Sequence, residues 1–165
     1  MNTVFIAFGG NLGDVPGNFH SARQCIRQLD GMQLTGSSLL YCTPPLGPAG
    51  QPDYFNAMIA AESELEPFAL LTALQSIETQ HGRIRSEHWG SRTLDLDIIA
   101  IDSLVVDHEH LNIPHPQMQY RQFVLRPLCD IAPNWQHPEL NRTALQLLDA
   151  LLQAGESALP QGIAW

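Results

Sequence analysis

Asp95 and Asp97 stand one residue apart in T-L-D-L-D-I, where Leu94, Leu96 and Ile98 alternate with them in the period-two pattern of a half-buried strand. Both carboxylates then share one face. Their Cα atoms are expected about 6.5–7 Å apart, so the side chains can lean together around a pair of metal ions about 3.5–4 Å from each other. Hard oxygen ligands with no sulfur nearby favour Mg²⁺. Just upstream, G-R-I-R-S-E-H-W-G-S-R brings Arg83, Arg85 and Arg92, whose guanidinium forks suit phosphate oxygens. A strand can also simply turn its polar face to water. Aspartate is depleted in strands, however, and two on one face repel each other unless a cation lies between them. The expectation is a site for a nucleotide polyphosphate with Mg²⁺.

Other residues can contribute. In Tyr54 to Glu62, Phe55, Ala57, Ile59 and Ala61 face one way and Tyr54, Asn56 and Met58 the other. A tyrosine and an asparagine on one face can stack on and hydrogen-bond a flat heterocycle, or serve only as half-buried packing. Before them T-P-P-L-G-P-A-G-Q-P-D, Thr43 to Asp53, mixes stiffening prolines with glycine hinges, which suits either a lid or a rigid connection. His115, Arg121 and Phe123 offer a donor, an anion clamp and an aromatic plate; a turn residue, a surface charge and a core ring are the structural alternatives. Gln75 and Glu78 share a face near the end of an expected helix. His108 and His110 have no further ligand pattern after them, and G-G-N-L-G-D lacks the Lys-Ser/Thr of a phosphate loop.

The elements that must position these groups follow from periodicity. Thr3 to Phe8 is a buried strand stopped by Gly9-Gly10. Asp14 caps a helix with Pro16 in its first turn and Phe19, Ala22, Ile26 and Leu29 as its stripe. Met32 to Tyr41 is a second strand and Tyr54 to Glu62 a third. Glu66-Pro67 opens a second helix with Phe68, Leu71, Leu74 and Ile77 apolar. The strand of Asp95 and Asp97 is the fourth. Leu104 to Val106 adds a short strand, Thr143 with Gln146 makes a capping box for a last helix, and nothing after Gly155 rises above a tail. The order is βαββαβ, an α+β, ferredoxin-like sandwich with helices on one face of an antiparallel sheet.

The 165 residues make a single domain, residues 1–165, able to bury a core. Net charge is −9, with all eight basic residues arginine, which argues against nucleic acid or anionic membrane as partner. The three cysteines at 25, 42 and 129 form no C-x-x-C pair, and no run of about 18 apolar residues occurs. A cytoplasmic monomer acting on small molecules is expected.

T-P-P-L-G, Q-P-D-Y-F-N-A, G-R-I-R, W-G-S-R-T-L-D-L-D-I and P-H-P-Q-M-Q-Y-R-Q-F-V-L-R-P-L together give the chain, up to about Pro133, its resemblance to the 6-hydroxymethyl-7,8-dihydropterin pyrophosphokinases. The resemblance implies transfer of a pyrophosphoryl group from ATP to a pterin alcohol, with AMP released, in folate biosynthesis. It implies that Asp95 and Asp97 bind two Mg²⁺, and that Arg83, Arg85, Arg92 and Arg121, with His115, neutralise the phosphates. By the same resemblance Thr43, Pro44, Leu46, Tyr54, Asn56 and Phe123 meet the pterin. Gln75, Glu78, Ile98, Leu111 and Asn112 line the nucleotide site, and Trp89 closes over it. Ser91 departs from the usual W-G-P-R, Gln117 stands where H-P-x-M segments often carry Arg, and a glycine replaces a serine in Gly9-Gly10-Asn11. A metal-dependent phosphohydrolase and a non-catalytic pterin- or nucleotide-binding module are the readings from other classes.

Overall fold

The computed structural model describes residues 1–44, 50, 52–82 and 93–165. Strand β1 (Asn2–Gly10) is the centre of an antiparallel sheet that also holds β2 (Met32–Ser37), β3 (Tyr41–Thr43), β4 (Tyr54–Ser63) and β5 (Asp95–Ile101). The order is β2-β4-β1-β5, with β3 paired to the start of β4. Helix α1 (Val15–Arg27) follows β1 and α2 (Pro67–Gln80) follows β4, which completes the ferredoxin-like βαββαβ core. A hairpin of β6 (Val106–His108) and β7 (Leu111–Ile113), a 3₁₀ turn, α3 (Gln122–Ile131) and α4 (Ala144–Gln153) follow. No helix among the described residues is long and apolar enough to cross a membrane.

The central strands β1 and β4 are buried on both faces. Val4, Ile6 and Phe8 of β1, with Ala57, Ile59 and Ala61 of β4, pack against α1 and α2. The intervening Phe5, Met58 and Ala60 pack against α3 and α4. The expectation of helices on one face thus holds for α1 and α2, and the last third of the chain adds two more on the other. Helix α1 starts where Asp14 accepts a hydrogen bond from the Gly17 amide at 3.1 Å, and buries Phe19, Ala22 and Ile26. The buried stripe of α2 is Leu70, Leu74 and Ile77. Phe68, expected in that stripe, is 43% exposed and meets His108 edge to face instead. Each large side chain fully buried in these seams stabilises the fold by about 1.5–3 kcal/mol.

The expected strand Met32 to Tyr41 is broken in two. Ser38 takes over the pairing, its amide donating to Met58 O at 2.8 Å and its Oγ accepting from the Met58 amide at 2.8 Å. Helix α3 was not expected, since Pro127 lies inside it. Helix α4 begins with the anticipated capping box: the Gln146 amide donates to Thr143 Oγ1, and the Thr143 amide donates to Gln146 Oε1.

Candidate active site

The face of the sheet that carries α3 and α4 is left open at one end, where β1 finishes and β4 and β5 begin. Register fixes what meets there. Asn56 of β4 and Asp95 of β5 are both paired with Gly9, and Met58 and Asp97 are both paired with Ala7. Asn56, Asp95 and Asp97 therefore point to the same side, across a central strand that offers only glycine and alanine between them. A Cβ on Gly9 would lie 3.3 Å from Asn56 Nδ2 and 3.9 Å from Asp95 Cβ, so the missing side chain is what keeps the floor open.

Above this floor is a cleft of about 950 Å³. It is lined by Asp95 and Asp97, by Thr43, Pro44, Tyr54 and Asn56, and by His115, Arg121 and Phe123. Arg121 is the residue just before α3, and its guanidinium carbon lies 5.5 Å from the centre of the Phe123 ring. The His115 amide donates to Ile99 O at 2.8 Å, which ties the histidine backbone to β5. Its Nδ1 accepts from the Gln117 amide at 3.1 Å. Burial, assisted by the positive charge of Arg121, lowers the His115 pKa from 6.5 to about 4. The ring is thus neutral at pH 7 with its proton on Nε2.

Nine of the expected site residues share this cleft. Gln75, Glu78, Ile98, Leu111 and Asn112 do not line it. Glu78 is only 2% exposed, and its Oε2 accepts from the Leu96 amide at 2.8 Å, tying α2 to β5 between the two aspartates. Ile98 and Leu111 are core residues on the α1 and α2 side. Gln75 is exposed, and Asn112 lines a smaller cavity of about 360 Å³ that also touches His115. Leu46, Arg83, Arg85, Trp89 and Arg92 lie outside the described residues. Sequence reasoning missed Ala7 and Gly9, for which a glycine at a strand end was the available signal. It also missed Gln122 and the segment 156–160, which forms one wall.

The charge of the lining bears on what it can hold. Among the described lining residues, three carboxylates, Asp95, Asp97 and Glu156, face one guanidinium, Arg121. A polyphosphate entering such a cleft needs a cation with it. No group of three or more His, Cys, Asp or Glu able to hold a metal occurs among the described residues. Two carboxylates that leave most coordination positions to phosphate oxygens and water are the donor set Mg²⁺ uses in nucleotide sites. The residues present fit that ion.

The fold and the cleft define a small-molecule phosphotransferase on a ferredoxin-like sheet. Residues 5–133 match the family 7,8-dihydro-6-hydroxymethylpterin-pyrophosphokinase (HPPK). The chain is 46% identical over 132 residues to the 2-amino-4-hydroxy-6-hydroxymethyldihydropteridine pyrophosphokinase of Haemophilus influenzae, covering 80% of this chain and 82% of that one. It is 41% identical over 160 residues to the enzyme of the same name from Pseudomonas aeruginosa, covering 97% of this chain and 98% of the relative. The chain belongs to this family of pyrophosphokinases. Among solved structures, wild-type Plasmodium falciparum HPPK-DHPS with pteroate superimposes with a TM-score of 0.72 at 13% identity, a likeness of fold. That match covers 92% of this chain and 42% of the Plasmodium chain, so this protein spans less than half the length of that one.

Proposed function

We propose that the cleft transfers a pyrophosphoryl group from ATP, the co-substrate its family implies, to the hydroxymethyl group of 6-hydroxymethyl-7,8-dihydropterin, as a step of folate biosynthesis. The supporting observation is that one cleft is lined at one side by Asp95 and Asp97 and elsewhere by an amide and two aromatic rings, Asn56, Tyr54 and Phe123. The hydroxyl gives up its proton to solvent as its oxygen bonds to the β-phosphorus, the bond from that phosphorus to the α–β bridging oxygen breaks, and AMP leaves with that oxygen. Asn56 reads the edge of the heterocycle beside Thr43, Pro44 and Leu46, while Tyr54 and Phe123 hold its faces, which fixes the alcohol in line. Asp95 and Asp97 would hold two Mg²⁺, which when bound would supply charge compensation at the phosphates and lower the pKa of the attacking hydroxyl. Arg83, Arg85, Arg92 and Arg121 grip the phosphoryl oxygens, with the neutral Nε2–H of His115 as a further donor. Gln75, Glu78, Ile98, Leu111 and Asn112 serve the nucleotide, and Trp89 closes over both substrates.

One chain supplies every side chain named, so a monomer suffices. The three cysteines are free thiols, in keeping with the cytoplasm. The test is release of AMP from ATP and Mg²⁺ with and without the pterin alcohol, followed by phosphorus NMR of the product. Pterin-dependent AMP with a diphosphate ester as co-product is expected. AMP formed equally without pterin overturns the transfer in favour of hydrolysis, and tight binding without turnover in favour of a binding module.

A further inference from the structure

Residues 156–165 lie beyond the stretch 5–133 that matches the family, yet the first five of them, 156–160, line the cleft. Helix α4 ends at Gln153, and Gly155, at φ 103°, turns the chain back. There the Gln122 side chain receives it: Nε2 donates to Glu156 Oε1 at 3.0 Å and to Ser157 O at 2.7 Å. An amide NH₂ has two hydrogens, and both are used. Since both partners are acceptors, the nitrogen rather than the oxygen of Gln122 must face them. Gln122 is 7% exposed, opens α3 and stands between Arg121 and Phe123, both of which line the cleft.

The far end of the segment is pinned on the opposite wall. Ile163 exchanges both backbone hydrogen bonds with Leu40, at 2.7 and 2.9 Å, immediately before β3 brings Thr43 and Pro44 to the cleft. A Cβ on Gly162 would come within 2.6 Å of Leu39 Cβ, so the approach depends on glycine there. Trp165 then seats edge to face against Phe8 and Phe19, with Arg23 4.0 Å over its ring and its Nε1 donating to Ser38 O at 2.7 Å. A strap fixed at both ends spans the cleft from the start of α3 to the approach to β3. Its two anchors are the elements that carry Phe123 on one side and Thr43 and Pro44 on the other.

We propose that residues 156–160 of the strap are a wall of the subsite for the heterocyclic alcohol, and that Gln122 is a positioning residue that holds the Phe123 ring against that heterocycle by clipping the strap to α3. This rests on the function proposed above. Gln122 acts through the strap, so its effect falls on one substrate. The Gln122→Ala change removes both donors and raises KM for the pterin alcohol about fivefold or more, the value of one to two hydrogen bonds. KM for ATP stays within about twofold, because Asp95 and Asp97 belong to β5 and the Arg121 backbone is held by Met118, Val124 and Leu125 rather than by the strap. Glu156→Ala removes one acceptor and gives a smaller change of the same kind, whereas Glu156→Gln keeps an acceptor oxygen for Gln122 and gives a KM for the pterin alcohol closer to the unsubstituted value than Glu156→Ala does.

The experiment measures KM for each substrate, kcat and the melting temperature in the unsubstituted chain and the three variants, with binding of the pterin alcohol by calorimetry alongside. A rise confined to the pterin in Gln122→Ala and Glu156→Ala, and smaller in Glu156→Gln than in Glu156→Ala, carries the inference. Equal rises for both substrates, no rise for either, or a Glu156→Gln protein as weak as Glu156→Ala overturns it. If the unsubstituted chain binds no pterin alcohol, the proposed function falls and the inference with it. If it binds and turns over but the variants are unchanged, the inference alone falls.

Discussion

The lowered pKa of His115 makes a measurable claim about stability. The ring is bound to the Gln117 amide through Nδ1, so protonation both charges a buried group beside Arg121 and breaks that hydrogen bond. A proton that binds the unfolded side chain near 6.5 and the folded one near 4 favours the unfolded chain as pH falls. Above 6.5 neither state binds it and His115 contributes nothing to the pH dependence. Below 6.5 the unfolded state takes up the proton first, and stability is lost down to about pH 4. The full loss is about 3 kcal/mol, and about 2 kcal/mol of it has accrued by pH 5.

His115→Asn isolates that loss. Asparagine Oδ1 can still accept from the Gln117 amide but does not titrate. Urea denaturation at pH 7 and pH 5 should show the unsubstituted chain losing about 2 kcal/mol more than the variant over that interval, since the carboxylates and the other histidines are common to both and cancel. The NMR signal of the His115 ring should stay at its neutral position down to about pH 5. A ring that titrates between pH 6 and 7, or equal losses in the two proteins, would refute the burial argument and return His115 to the role of a phosphate-neutralising cation.

Asp97→Asn keeps the size of the side chain and removes a charge from the proposed Mg²⁺ pair, so AMP production should fall about 10²-fold or more while the melting curve stays cooperative; a near-normal rate would exclude the metal assignment. Asn56→Ala should weaken pterin binding by about 1–3 kcal/mol with little change for ATP, and calorimetry showing equal damage to both ligands would remove its specific role. Trp165→Ala takes away two edge-to-face contacts, an Arg23 cation–π contact and the bond to Ser38 O, and should cost about 3 kcal/mol in urea. A loss under about 1 kcal/mol would mean that the end of the strap is only laid on the surface.

What was legible in the sequence was whatever is encoded within a few residues. The same-face placement of Asp95 and Asp97 is a property of any strand, and the alternation of Tyr54 to Ala61 sorted both faces of β4 correctly, Ala57, Ile59 and Ala61 to one core and Met58 to the other. The caps at Asp14 and Thr143 are local chemistry too. Helix α3 was hidden because it is ten residues long with Pro127 inside it, too short and too interrupted to show a period. A helix face does not reveal which neighbour it will meet, so the tie from Glu78 to the Leu96 amide was not legible in the sequence either.

The strap was the least legible part because nothing in E-S-A-L-P-Q-G-I-A-W repeats or alternates, and the bonds that place it against the cleft are long-range. Gln122 reaches Ser157 across 35 residues, and Trp165 reaches Ser38 across 127. A segment of this kind has no propensity of its own to fold and is ordered only by what it docks on, so its position depends on α3 and the sheet already being formed. The cleft therefore has a floor that follows from strand register and one wall that follows from docking. Substitutions in Gly9, Asn56 or the aspartates act on a scaffold held by the whole sheet, while substitutions in the strap or its Gln122 clip act on a segment held by docking contacts outside the sheet's strand ladder. If the two halves of the cleft serve the two substrates as proposed, variation between relatives in the strap can tune the heterocycle subsite while leaving the carboxylate pair untouched.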